Sequence, residues 1–271
     1  MDDSQSFKAK GKRSRLVANC VTLWIGDALG PIERACLKSV VRTGHRLALY
    51  CFEEPAGVPD GVEVRDASAI LSWAEMEDRS GGRPDLYSDW FRYELLRQSL
   101  GTWIDTDVYV TGKIDGDKAY LFGEQAPGVV NNAVLRLPAD SPLLPRLMEP
   151  FEKLTTPRWL KWRFYVPSRI RELATGRVDL TRLPWGSTSP HALTALAKDY
   201  GVYGFAEPIE RFYPAAWQDA DWILDPKRSL GDIVTGGTVA VHLWNERIKA
   251  FKDQPAPDGS FLQRLQSEGS S

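Results

Sequence analysis

The chain has 271 residues, 43% hydrophobic and 26% charged, ordinary proportions for a globular protein with room for a sizeable buried core. Its formal net charge of -2 offers no bulk attraction for nucleic acid, which is not expected as a partner. Cys20, Cys36 and Cys51 have neither CxxC nor secreted-scaffold spacing and read as small buried hydrophobes in a reducing compartment. The first residues show no apolar leader segment, so a cytoplasmic protein is expected.

Residues 1–14 are rich in Ser, Lys, Gly and Arg and are expected to form a disordered basic tail. Lys8, Lys10, Lys12, Arg13 and Arg15 read as a solvated cluster or as a peripheral contact with the anionic inner face of a membrane. Residues 15–24 are apolar and β-prone, residues 32–43 carry helical spacing in Ile32, Cys36, Leu37 and Val40, and residues 46–52 are again strand-like. Such a β-α-β start implies an α/β protein with a parallel sheet and helices on its faces. Residues 26–31 then form the loop at the C-terminal end of the first strand, where open α/β sheets bind ligands.

Residues 62–65 suggest another strand, and residues 80–84 a mobile loop. From Asp85 a helix is expected, with Leu86, Trp90, Tyr93, Leu96 and Leu100 toward the core. Thr102, Trp103 and Ile104 make a short strand that ends in Asp105 and Asp107, and the apolar residues 108–110 follow. Residues 128–137 read as a buried strand pair interrupted by Asn131 and Asn132, and residues 143–154 as a helix. Residues 158–165 mix aromatic and basic side chains, which suits an amphipathic helix covering the core, or contact with an anionic glycan or membrane surface. Residues 190–200 form an amphipathic helix, residues 238–243 a last strand, and residues 253–271 a flexible tail with at most one weak helical turn. With no internal repeat and no long linker, one domain over residues 15–252 is expected.

The carboxylates carry the chemistry. Among 21 aspartates, about one or two Asp-x-Asp triplets arise by chance, so a bare triplet means little. Asp115 and Asp117 flank Gly116 in a polar turn, and Asp219 and Asp221 lie in a loop or helix start. Only Asp105 and Asp107 end a strand and precede another apolar stretch, a costly place for carboxylates unless a cation or donors meet them. Mg²⁺ and Mn²⁺ prefer oxygen ligands and keep substrate phosphates in their shell, so two such carboxylates suit a metal bound to a diphosphate. On the preceding helix Asp89 and Arg92 share a face at i and i+3, either as a surface ion pair or as contacts for sugar hydroxyls and phosphate oxygens.

Ser88, Asp89, Arg92, Tyr93, Gly101, Asp105, Thr106, Asp107 and Val108 together resemble the sugar-binding region of glycosyltransferase family 32, over about 25 residues. Leu100-Gly101 departs from the family's usual Gly-Gly. The resemblance implies a GT-A fold and a metal-dependent, configuration-retaining transfer of a sugar from a UDP- or GDP-linked donor to a glycan or glycolipid acceptor. It assigns Mn²⁺ or Mg²⁺ to Asp105 and Asp107, and the donor sugar to Asp89 and Arg92. Weaker echoes place Trp24 against the nucleotide base or in the core, and Asn131-Asn132 toward the donor sugar or in a turn. They make His242 a further metal ligand or a structural residue, and they leave donor contacts from Ser189-Pro190 open because relatives carry Gly-Pro there. A nucleotide-sugar hydrolase and a non-catalytic sugar-nucleotide-binding protein of the same fold are the alternatives. A haloacid-dehalogenase-type phosphatase fits poorly, since Tyr109 stands where that motif has Thr or Val.

Overall fold

The computed structural model describes residues 17–271. The expected basic tail, residues 1–14, lies outside the described residues. The chain opens β1 (Asn19–Leu23), α1 (Pro31–Arg42), β2 (Arg46–Cys51), β3 (Val62–Asp66), α2 (Trp73–Ser80), α3 (Pro84–Arg97), β4 (Thr102–Ile104), β5 (Val108–Val110), β6 (Leu121–Ala126) and β7 (Val129–Arg136). It continues α4 (Leu143–Lys153), α5 (Trp162–Thr175), α6 (Pro190–Asp199), the short α7 (Ile209–Phe212) and α8 (Leu230–Ile233), β8 (Ala240–His242), the short α9 (Asn245–Ile248) and α10 (Phe261–Ser270).

Six strands make one mixed sheet in the order β3-β2-β1-β4-β7-β6. β1 pairs in parallel with β2 and β4, and β3 extends the parallel half, whereas β7 runs antiparallel to β4 and to β6. The alternation of side chains along a strand divides the core into two layers. Cys20, Leu47 and Leu49 pack with α1 on one face, while Val21, Leu23, Ala48 and Tyr50 pack with α3, α4 and α6 on the other. The β-α-β reading therefore holds, and helices cover both faces of the sheet.

Gly101 sets the entry to β4. A Cβ there would lie 2.6 Å from the Asn19 carbonyl oxygen and 3.0 Å from Val21, so only glycine lets this turn close against β1. The preceding Leu100 faces no such constraint and is partly buried against the core, which makes the departure from Gly-Gly structurally harmless.

Three expectations change. Residues 128–137 are not a strand pair: β7 is one continuous strand, and Asn131 and Asn132 sit inside it, buried. The region at 80–84 is occupied by the end of α2 and the start of α3, with only residues 81–83 between them. The expected flexible tail, residues 253–271, carries α10, capped by Ser260, with Phe261, Leu262 and Leu265 buried in the core layer beneath α1. Its Ser-, Gln- and Gly-rich composition hid three apolar residues on one turn, too few to read as a helix face. Contact is close enough that a Cβ on Gly269 would meet the Pro31 carbonyl oxygen. Glu268 anchors the same helix by accepting from Tyr109, Arg42 and Arg264.

Leu265→Ala should therefore lower stability by about 2–5 kcal/mol in urea denaturation. A change within about 0.5 kcal/mol, as for an exposed residue, would mean that α10 is not part of the folded unit.

Candidate metal and ligand site

The site lies where the parallel strands end. β4 delivers Asp105, whose backbone N–H donates to the Ala133 carbonyl at 2.8 Å, and a tight turn back to Asp105 brings in Asp107. β5 then leaves the main sheet and pairs antiparallel with β8, matching Val108 with His242. The Leu243 N–H donates to the Asp107 carbonyl at 2.9 Å, extending that ladder. This pairing carries His242 to the carboxylates: its Nε2 lies 3.2 Å from Asp107 Oδ2. One ligand atom each from Asp105, Asp107 and His242 fall within 4.8 Å of one another.

Trp244 follows with a left-handed backbone, φ 59° and ψ 60°, unusual for a bulky residue and a local strain on the order of 1–3 kcal/mol. Packing holds it there. Its indole N–H donates to the Ala215 carbonyl at 2.9 Å, and its ring lies 4.2 Å from the His242 ring, centroid to centroid. The turn aims the Asn245 N–H at Asp107 Oδ2, 2.7 Å away. Lys252, paired with buried Glu33, donates to the Asn245 side-chain oxygen at 2.8 Å and steadies that residue.

Asp89 and Arg92 form no surface pair. Both are buried, 6% and 5% exposed, and lie 3.7 Å apart. Arg92 donates to Asp105 Oδ1 at 3.0 Å, to the Asn132 carbonyl at 3.2 Å and to Ser88 Oγ at 3.2 Å, and its guanidinium sits 4.8 Å over the Trp103 ring. Its fork is thus engaged by protein groups, and a bidentate grip on a ligand phosphate is not the geometry present. Asp89 accepts from Thr188 Oγ1 at 2.7 Å and from the Asn132 amide at 3.4 Å. Asn132 therefore belongs to the site, tying β7 to α3. Asn131 also lines the cleft but is held by the fold: its Oδ1 accepts from the Ala133 N–H at 2.7 Å, and its amide donates to Gln125.

The environments push these groups apart. Burial raises the Asp89 carboxyl to about 6, even though Arg92 and hydroxyl donors oppose the shift. Burial acts upward on Asp107 too, but His242 beside it and the Asn245 N–H outweigh that and hold its carboxyl below the usual range. Burial would lower the His242 imidazolium, yet the attraction of Asp107 wins and raises it above its ordinary value.

Two carboxylates and an imidazole are a donor set that suits Mn²⁺, and the 3.2 Å between His242 Nε2 and Asp107 Oδ2 is near the ~3 Å that separates adjacent ligands of an octahedral ion. His242 Nδ1 is buried without a hydrogen-bond partner, so this imidazole is not fully satisfied by the protein. The residues present fit such an ion.

A cleft of ≈ 360 Å³ opens over them, lined by Trp24, Asp89, Arg92, Asp105, Asp107, Asn132 and His242 among others, and it is large enough for a small-molecule ligand. Every residue singled out from the sequence as a site candidate is thus in one place. Sequence reasoning missed Trp185, Trp217 and Trp244, which form a contiguous aromatic wall with ring centroids 6.1 and 5.7 Å apart. It also missed the role of Thr188, whose hydroxyl holds Asp89 from a loop 99 positions away. The chain's ten tryptophans are the sequence signal for the wall; nothing marks Thr188. Ser189 and Pro190, left open from the sequence, do line the cleft. Comparison with family models and with curated proteins finds no match for the chain.

Because the Asp89 carboxyl is raised in the folded state, this group favours folding when protonated. That contribution is full below the unfolded value near 4 and is lost as pH rises through about 6. Asp89→Asn should accordingly gain stability relative to the wild type between those limits, by up to about 3 kcal/mol. Paired denaturant titrations at pH 4 and pH 7 measure the difference, and a constant offset between the two proteins would contradict it.

Proposed function

We propose that the chain is a metal-dependent, retaining glycosyltransferase of the GT-A type. It moves a sugar from a UDP- or GDP-linked donor to a hydroxyl of a glycan or glycolipid. The observation that carries this reading is the convergence of the buried Asp89–Arg92 pair with Asp105, Asp107 and His242 in one cleft at the end of a mixed α/β sheet. Asp89, Arg92, Asp105 and Asp107 are among the residues through which the sequence resembles glycosyltransferase family 32, and His242 is one of its weaker echoes.

A second cleft supports the donor. It adjoins the first through Trp24 and Ile25 and adds Gly26, Asp27, Phe52, Glu53 and Trp73. Aromatic rings beside polar groups at the loop after β1 suit a nucleobase. Trp24 is only half-buried, and its indole N–H is buried without a partner, so it is not simply a core residue. Asp105, Asp107 and His242 would hold Mn²⁺ or Mg²⁺, which when bound supplies Lewis-acid stabilisation to a departing diphosphate. Asp89 accepts from donor-sugar hydroxyls. Arg92 is a positioning residue that keeps the Asp89 and Asp105 carboxylates in place. Trp185 and Trp217, backed by buried Trp244, offer faces on which an acceptor ring can lie.

In the reaction, the bond between the anomeric carbon and the diphosphate oxygen breaks, and the acceptor hydroxyl oxygen forms the new bond on the same face. Its proton passes to a donor phosphate oxygen. Asp89, Asp105 and Asp107 already carry other duties in the cleft, and a front-face course asks for no carboxylate nucleophile beyond them, so it is the course proposed over a double displacement.

With Mn²⁺ present, one member of a panel of UDP- and GDP-sugars should raise the melting temperature and be slowly hydrolysed. Asp107→Ala should reduce both metal affinity and turnover by more than ~100-fold while leaving the circular dichroism unchanged. No response to any donor, with or without metal, sinks the proposal. Free sugar as the only product in the presence of glycan acceptors would indicate a hydrolase, and donor binding that survives Asp107→Asn with no turnover in either protein a binding module.

Metal binding should also depend on pH with a definite sign. His242 must be neutral to ligate, and its proton is held above the ordinary imidazole value, so Mn²⁺ affinity should fall as pH drops below that raised value. Isothermal titration at pH 6 and pH 8 tests this, and equal affinities would exclude His242 from the metal shell.

A further inference from the structure

Helix α5 places no apolar side chain in the core. Among its residues only Glu172 is buried. Trp162, Val166, Ile170 and Leu173 are 79%, 43%, 62% and 71% exposed. On a helix these four positions fall within about 80° of arc, so they form a single apolar stripe facing solvent. Arg163 and Arg169 rim it on its two sides at that periodicity. The opposite side of the helix, with Phe164, Tyr165, Ser168 and Glu172, is the less exposed one and faces the protein.

Charge says what covers the stripe. Between Thr155 and Val178 the chain holds Arg158, Lys161, Arg163, Arg169, Arg171 and Arg177 against a single acid, Glu172. That acid is turned inward, accepting from the Thr156 N–H at 2.8 Å and from Arg169. Arg158, Lys161, Arg163 and Arg171 are exposed, and none forms an ion pair with a described residue. A second copy docked stripe to stripe would set these cations against one another. A nucleic acid would find cations but no use for Val166, Ile170 and Leu173. An anionic bilayer meets both halves of the pattern: acyl chains for the stripe and headgroups for the rim. No described helix is long and apolar enough to cross a membrane, so the contact would lie along the surface.

We infer that α5 is an interfacial helix that docks the protein on an anionic lipid surface. Its place in the fold gives the docking a direction. Trp159, just before the helix, donates its indole N–H to the Ser187 carbonyl at 2.6 Å, in the loop that supplies Trp185 and Ser189 to the cleft. The bilayer would then lie beside the cleft on its Trp185 side. If the transferase reading holds, that is how a lipid-linked acceptor would be presented.

The test uses the full chain without donor or metal, so it stands apart from the transferase reading. The wild type should cosediment with vesicles of phosphatidylglycerol and phosphatidylcholine, and release at high salt. The double substitution Ile170→Asp and Leu173→Asp should cut the partition by at least about tenfold, and Arg163→Gln with Arg171→Gln by a similar order. All four side chains are at the surface, so melting temperature should change little. If the aspartate pair disturbs the fold, Trp162→Ala is the replacement and should still reduce partition severalfold. Absence of binding to anionic vesicles, equal binding to neutral phosphatidylcholine vesicles, or undiminished binding by folded variants would each overturn the inference. A wild-type dimer that the aspartate pair dissociates, with no vesicle binding, would assign the stripe to self-association instead.

Discussion

The site depends on one guanidinium. Arg92 reaches from the middle of α3 to Asp89 on its own helix and to Asp105 at the end of β4, and it donates to the backbone of β7 through the Asn132 carbonyl. Three elements from both halves of the mixed sheet meet on this side chain. Burying Asp89 without it would cost several kcal/mol, and half-buried Asp105 would lose its main partner. With it, their separation is set by the planar fork of the arginine and by the Trp103 face beneath. Lysine would keep the charge but lose the fork, so the pair of carboxylates would lose its fixed geometry.

A second constraint completes the arrangement. After Asp107 the chain abandons the main sheet and pairs with β8, and this small ladder alone puts His242 beside Asp107. The left-handed Trp244 then turns the chain so that the Asn245 N–H caps the same carboxylate. Backbone strain at one residue is offset by an indole hydrogen bond, ring packing on His242 and a charge-assisted N–H contact. Local cost and site geometry are parts of the same structure.

Much of this was legible because the relevant signals are short-range. Apolar periodicity located α1, β2, α4 and α6, and the run from Asp85 to Val110 contains α3, Gly101, β4 and both carboxylates within 26 residues. Gly101 could be read as a turn and proves to be a steric necessity against Asn19. What could not be read depends on distant pairing. Thr188 on Asp89 is set by how the loop before α6 crosses α3, and Arg92 turning inward to Asp105 depends on the strand that α3 packs beside. The C-terminal helix failed for a different reason: its polar composition is that of a tail, while three apolar residues suffice when α1 offers a ready surface. For α5 the aromatic-basic run was visible, yet which face would meet the protein was not.

The two kinds of carboxylate finally explain why one cleft would need both. Asp89 lies deep among Thr188, Asn132 and Arg92 and is raised to about 6, so it ionises less readily than Asp107 and is held by directed hydrogen bonds. Asp107 is held below the usual carboxylate range by His242 beside it and by the Asn245 N–H, and so stays ionised, the state a cation requires once His242 gives up its proton to ligate. Environments that push like groups apart mark a division of labour. A hydroxyl-rich ligand is recognised by accepting hydrogen bonds, and a diphosphate is reached only through a positive charge. Under the proposed reading, one carboxylate serves the sugar hydroxyls and the other the cation on the diphosphate.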